Sequence, residues 1–404
     1  MSAVFDIKEH VIEGQHIREY PRATAHAQEE ILQLAVKQYI PKDNPKPKPG
    51  DITIIASHAN GFVKELYEPL WEDLLHTCRQ SGVNIRGIWI ADVAWQGQSG
   101  ILNEHKLGND PSWFDHARDL LHLTNVFRAQ MPRPVIGVGH SFGANIIINV
   151  AYMHPRLFSG LVMIDPVMSS RIRFGPLYGF STMRASASRR DLWSSRQEAE
   201  QAVRRNKFYA TWDPRAVDNL IKFGYRDGPT LLYPDKTGGE VTLTTTKHLE
   251  CFTYYRPILQ GPRDPHTGKR TMDRSLIPDA TSEVDEFPNF PFYGNASSTT
   301  AARLGELRPS VLWIAGELSA VCPPETQQEK MELTGYGPGG NGGAKAGRVK
   351  EYVVKGVGHL VAMERPKKIA EQAAGFIRDE VDRWRREEES YRKDHHGQFT
   401  LKKQ

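Results

Sequence analysis

A serine hydroxyl is a weak nucleophile at neutral pH until a base within about 2.6–3.2 Å takes its proton and a third group orients that base. Ser141 is the candidate for such a nucleophile. It stands in Gly139-His140-Ser141-Phe142-Gly143, after the apolar run Val135-Ile136-Gly137-Val138 and before the helix-like stretch Ala144–Val150. A strand that ends in Gly-x-Ser-x-Gly and turns at once into a helix holds the serine in a strained conformation, its hydroxyl exposed above the sheet edge. The two glycines let helix and strand approach closely and keep the amide after the serine open to a substrate oxygen.

The base expected for Ser141 is His359. It lies in Gly356-Val357-Gly358-His359-Leu360, just past the run Lys350–Val354 and before a closing helix, so its loop faces the elbow across the carboxyl edge of a doubly wound sheet. Stabilising an oxyanion takes two backbone N–H donors. Phe142 supplies one; Ala59 or Asn60, in Ser57-His58-Ala59-Asn60-Gly61-Phe62, supplies the other, with His58 supporting that loop. His58, His140, Phe62, Trp193 and Trp212 are the candidate substrate contacts.

These residues need elements to carry them. The short, continuous, β-branched run Ile52–Ala56 reads as a strand covered on both faces, and Ile85–Ile90 as the next such run; Val135–Val138, Leu161–Ile164, Val311–Ile314 and Lys350–Val354 follow as further strands. Helical stretches at Tyr67–Gln80 and Trp113–Gln130 alternate with them, which predicts an α/β fold with a mainly parallel, doubly wound sheet. Residues 5–20 read as a hairpin around Glu13-Gly14-Gln15, and Leu32–Ile40 as the next strand. Between Met168 and Arg308 the alternation breaks into helical pieces, Ser188–Asn206 and Pro214–Tyr225, among turns. So long an insertion is expected to be a large helical cap between core strands. Residues 1–167 and 309–382 are then the two parts of the core, 168–308 the cap, and 383–404 a charged tail of solvated helix followed by disorder. Gly335–Gly347 is expected to be a mobile glycine-rich loop.

The chain resembles the α/β-hydrolase superfamily across nearly the whole core. The matching segments are His58-Ala59-Asn60-Gly61-Phe62, Asp92-Val93-Ala94-Trp95-Gln96-Gly97-Gln98-Ser99, the elbow, Ile164-Asp165-Pro166 and Gly358-His359. It is more closely similar to a fungal subgroup that includes a peroxisomal lipase-like hydrolase and hydrolases of host-selective toxin biosynthesis, through Leu107-Gly108, Trp113–Asp119, Asp165-Pro166-Val167 and Cys322-Pro323-Pro324. The family pattern implies an acid after the penultimate strand, yet this chain reads Gly316-Glu317-Leu318-Ser319, with serine at the usual acid position. Some members take the acid from the strand after the elbow helix, which here delivers Asp165. Asp165 is therefore the expected acid and Glu317 the alternative.

Serine at the elbow, where aspartate would imply an alkyl-enzyme ester, points to acyl transfer. The expected activity is that of a serine hydrolase cleaving an ester, lactone or thioester of a lipophilic acyl or polyketide-like molecule. The same triad serves carbon-carbon hydrolases, lyases and cyclases of secondary metabolism, and a catalytically silent ligand-binding member is the reading from another class. Aromatics of the insertion, among them Phe174, Tyr178, Trp193, Phe208, Tyr209 and Trp212, are expected to face that substrate. No cofactor and no metal ligand set is expected.

In the 404 residues, hydrophobic residues make up 39% and charged residues 25%, and the net charge of +4 is spread along the chain without a recognition motif, which argues against a nucleic-acid partner. Three cysteines with no CxxC spacing predict a reducing compartment. No run is long enough for a membrane span and none reads as a secretory signal, so an intracellular location, cytoplasmic or peroxisomal, is expected. The terminal Lys402-Lys403-Gln404 does not match a Ser-Lys-Leu address. A homodimer is compatible with the sequence.

Overall fold

A computed structural model of the chain describes residues 2–170, 180–257, 264–268, 292–294 and 296–395. Its centre is an eight-stranded sheet of β1 (Phe5–Glu13), β2 (Gln33–Pro41), β3 (Ile52–Ser57), β4 (Ile85–Ala91), β5 (Val135–His140), β6 (Phe158–Ile164), β7 (Ser310–Gly316) and β8 (Val349–Val354), in the order β1-β2-β4-β3-β5-β6-β7-β8. β1 and β2 pair antiparallel, as do β2 and β4, and all later pairs are parallel. β3, β5 and β7 are buried at every residue, which explains their unbroken apolar runs: helices cover both of their faces.

On one face lie α1 (Glu68–Gln80) and the long C-terminal helix α9 (Pro366–His395), whose apolar sides meet over Ile54, Val138 and Ile314. On the other lie α2 (Trp113–Val126) and α3 (Phe142–Met153), closing over Ile55, Leu161 and Trp313. α2 starts where it does because Ser112 Oγ accepts the amide of Phe114, an N-cap bond.

The chain between β6 and β7 builds α4 (Phe180–Ser188), α5 (Arg196–Arg205), α6 (Pro214–Phe223), α7 (Lys247–Tyr254) and a three-stranded antiparallel sheet of Leu192–Trp193, Val241–Leu243 and Tyr225–Asp227. It holds a small apolar cluster of its own, with Trp193, Val203, Tyr225 and Val241. Arg215 clamps it to the core through both carboxylate oxygens of Asp73, at 3.1 and 2.8 Å, and the Asp213 amide donates to the carbonyl of Met363 at 2.8 Å. α8 (Pro324–Leu333) follows β7. Phe174 and Tyr178 lie outside the described residues.

Several expectations are corrected by this fold. Residues 5–20 form no hairpin: β1 pairs with β2 over its whole length, and the chain between them is drawn toward α2, where buried Arg18 meets Asp119 at 2.8 Å and the Gln15 amide donates to the same carboxylate. Ser188–Asn206 is not one helix. Ser195 accepts the amide of Glu198 and starts α5 at Arg196, leaving Leu192–Trp193 extended. Residues 335–347, expected to be loose, are tied to the turn before β7 by Gly337 N–H to Gly305 O at 2.8 Å and Asn341 Nδ2 to Pro309 O at 2.7 Å.

Candidate active site

Five strands deliver the residues of interest from the same edge of the sheet: β3 the loop 58–63, β5 Ser141, β6 Asp165, β7 the turn 316–319 and β8 the loop holding His359. Ser141 sits at φ 60° and ψ −124°, between the last residue of β5 and the first of α3. A non-glycine residue there is strained, by about 1–3 kcal/mol. Close packing holds it in place. A Cβ added at Gly143 would lie 2.4 Å from the Ser57 carbonyl oxygen and 2.5 Å from that of His58, so the first turn of α3 rests directly on the loop after β3.

His359 Nε2 lies 2.9 Å from Ser141 Oγ and its Nδ1 2.7 Å from Asp165 Oδ1. Asp165 is fully buried and Ser141 5% exposed, whereas the His359 side chain keeps 25% of its surface, so the imidazole is the member that solvent reaches. The Asp165 carboxylate is held further by Ser319, whose hydroxyl donates to Oδ1 at 2.6 Å, and by the Gly316 amide, which donates to Oδ2 at 2.7 Å. Glu317, the alternative acid, is not brought to the site. It is exposed, pairs with Lys355 at 2.8 Å and accepts the Gly356 amide, and these two bonds lower its pKa.

Of the two alternatives for the donor from the loop after β3, Ala59 is occupied: its N–H donates to Tyr67 Oη at 2.8 Å. Asn60 and Phe142 have no backbone acceptor for their amides among the described residues. Gln96 shapes this loop from the end of β4, donating to Asn60 Oδ1 at 2.6 Å and accepting the Gly61 amide at 2.8 Å. Asp92 anchors its far end through Lys64, accepting the backbone amide at 3.0 Å and the ammonium at 2.6 Å. From the insertion, the backbone carbonyl of Glu250 accepts from Asn60 Nδ2 at 3.1 Å.

The remaining sequence candidates divide. Phe62 and Trp212 meet edge to face at 5.6 Å, the first on the loop after β3 and the second on the insertion. Trp193 is buried in the insertion's own cluster, edge-on to Tyr225 at 5.0 Å, and is not brought to Ser141. His58 and His140, expected as substrate contacts, are fully buried with both ring nitrogens used. His58 Nδ1–H donates to the Ala59 carbonyl at 2.8 Å and Nε2 accepts the Val93 amide at 3.0 Å; burial lowers its pKa to about 4. His140 donates from Nε2 to the His359 carbonyl at 3.0 Å, so its Nδ1 accepts from the Tyr67 hydroxyl at 2.8 Å; burial, then the neighbouring His359, lowers its pKa to about 3. Tyr67, Gln96 and Ser319 were not among the sequence candidates. Ser319 left a sequence signal, as a hydroxyl at the position where the family pattern has a carboxylate, and Gln96 lay within the family-matching segment Asp92–Ser99.

Comparisons with known proteins agree on one family. The model of the alpha/beta hydrolase family matches residues 58–372. The chain is 42% identical over 420 residues to a type I acyl-CoA thioesterase, mpaH, of Penicillium roqueforti, covering 99% of this chain and 94% of that one. A type I acyl-CoA thioesterase of Penicillium brevicompactum, mpaH', is 43% identical over 98% of this chain and 93% of its own length. Among solved structures, the peroxisomal alpha-beta-hydrolase Lpx1 of Saccharomyces cerevisiae superposes with a TM-score of 0.70 at 18% identity, covering 94% of this chain and 90% of that one.

Proposed function

The chain belongs to the alpha/beta hydrolase family, and from that premise we propose that it is a serine thioesterase that hydrolyses a lipophilic acyl–coenzyme A thioester through an acyl-enzyme on Ser141. The observation that carries this reading is the contact series Ser141 Oγ, His359 Nε2, His359 Nδ1 and Asp165 Oδ1, at 2.9 and 2.7 Å, in a chain that is 42% identical over almost its full length to an acyl-CoA thioesterase.

In this mechanism His359 takes the Ser141 proton as Oγ attacks the thioester carbon. The amides of Phe142 and Asn60 receive the oxyanion, and such donors contribute about 10²–10³-fold each. Collapse expels the thiolate, which leaves with the proton held by His359. A water that gives its proton to His359 then attacks the acyl-enzyme, and as the bond to Ser141 Oγ breaks His359 returns that proton to Oγ, freeing the acid. Asp165 keeps the imidazole in the tautomer with Nδ1–H toward itself and balances the imidazolium while it lasts. The insertion is the cap over this site. Trp113 packs edge-on against Phe142 at 5.4 Å, an aromatic surface next to the nucleophile elbow that an apolar acyl group can meet. Among the described residues no helix is long and apolar enough to cross a membrane. All three cysteines are free, which fits reaction in a reducing compartment, cytoplasmic or peroxisomal.

Release of free thiol from a series of acyl–coenzyme A thioesters, followed with a thiol-reactive chromophore, tests the proposal. Turnover that vanishes in S141A, together with an acyl adduct on Ser141 seen by mass spectrometry, is the expected result. Cleavage of p-nitrophenyl esters or β-diketones with no thioester turned over would overturn it in favour of an esterase or a carbon-carbon hydrolase.

A further inference from the structure

We infer that Tyr67 and His140 are positioning residues, a neutral strap of hydrogen bonds that sets the distance between the oxyanion loop, the nucleophile elbow and the loop carrying the base. The directions follow from the chemistry of each atom. The His359 carbonyl can only accept, so His140 Nε2 carries the proton at the 3.0 Å contact. His140 Nδ1 is then an acceptor, and the Tyr67 hydroxyl gives it its proton at 2.8 Å. The same Tyr67 oxygen accepts the Ala59 amide at 2.8 Å. One unbroken series therefore joins the loop after β3, through α1's leading turn, to the residue beside Ser141 and on to the backbone of His359.

Each end of the series is adjacent to a reacting group: Ala59 precedes Asn60, and the His359 carbonyl belongs to the base itself. Its middle is buried, with Tyr67 2% and His140 0% exposed, and its last contact, to the His359 carbonyl, is half-buried. Burial drives the His140 pKa down to about 3 and that of Tyr67 upward, so neither ionises where the enzyme works. The series is thus suited to hold geometry, not to carry protons. A displacement of about 1 Å in a reacting group can cost up to 10²-fold in rate, which gives such a strap a kinetic consequence without any contact to substrate.

This inference rests on the reading of Ser141 as nucleophile, and the test separates the two. Labelling by a fluorophosphonate probe and hydrolysis of p-nitrophenyl butyrate are compared in wild type, S141A, Y67F, H140L and H140Q, with thermal melting of each. Labelling that survives in S141A would sink the nucleophile reading itself. With that reading intact, Y67F and H140L are expected to lose about tenfold in labelling rate and kcat at unchanged KM. H140Q, whose Oε1 can accept from Tyr67 and whose Nε2 can donate to the His359 carbonyl, is expected to return to within about threefold of wild type. Folded Y67F at the wild-type rate, or H140Q no better than H140L, would overturn the inference. Y67F keeps the ring that stacks on Trp71 at 6.0 Å, so it decides the matter alone if H140L does not fold.

Discussion

Three donors meet on the Asp165 carboxylate: His359 Nδ1, the Ser319 hydroxyl and the Gly316 amide. These donors fix the plane of the carboxylate, so the imidazole is offered one acceptor in one orientation. D165N keeps the shape but presents an amide where an acceptor is needed, and kcat is expected to fall about 10³–10⁴-fold. E317Q is expected to turn over at the wild-type rate, because Glu317 faces Lys355 and solvent. Thiol-release kinetics on the two variants side by side checks the assignment. Near-normal turnover by D165N alongside an inactive E317Q would refute it.

At the level of elements, the loop after β3 is shaped from outside itself. Gln96 holds Asn60 and Gly61 from the end of β4, and α7 of the insertion leans on the same residues. Gly61 adopts φ +79°, and a Cβ there would lie 2.7 Å from the Glu250 carboxyl carbon. G61A therefore adds backbone strain of about 1–3 kcal/mol and a clash with the insertion. Its melting temperature and kcat should both fall, and E250A in the G61A background should restore part of the kcat, a non-additivity read in a double-mutant cycle. Purely additive losses would mean that Glu250 does not bear on the loop. The strands were legible in the sequence because burial on both faces leaves an unbroken apolar run, as in Ile52–Ser57. Ser141 and His359 were legible because a turn from strand to helix and a loop after the last strand constrain residue type. Tyr67 left no such mark, and Gln96 only its place in the Asp92–Ser99 segment, with nothing to say what it would bind. Their partners are backbone amides and side chains brought near only by folding, and neither spacing nor periodicity records that. The false hairpin at 5–20 has the same origin: polar and apolar alternation marks a strand but does not choose its partner, and Arg18 with Asp119 chose it here.

For the molecule as a whole, stability should depend on pH through groups buried in one protonation state. The folded-state pKa values of His58 and His140 lie at about 4 and about 3, below the ordinary value near 6.5. As pH falls below about 6.5 the unfolded chain therefore takes up two protons that the folded chain refuses, and stability declines at about 1.4 kcal/mol per pH unit for each. Asp115 acts in the opposite sense. Burial raises its pKa to about 7, so between roughly pH 4 and 7 the folded chain holds a proton that the unfolded one has lost. For these three groups together the expectation is a loss of about one proton's worth, near 1.4 kcal/mol per unit, from pH 6.5 to 4.5. H140Q removes one histidine from the balance and should flatten that slope. Denaturant unfolding of both proteins at several pH values measures it, and equal slopes would show that His140 does not titrate on unfolding.

The Ser319 hydroxyl lies 2.6 Å from Asp165 Oδ1, so the ends of β6 and β7 address one point in space. A lineage could therefore relocate its acid from one strand to the other by two ordinary codon changes, passing through an ancestor that carried both, without any strand moving. The triad would then be inherited as a place, with its occupant free to change address in the gene.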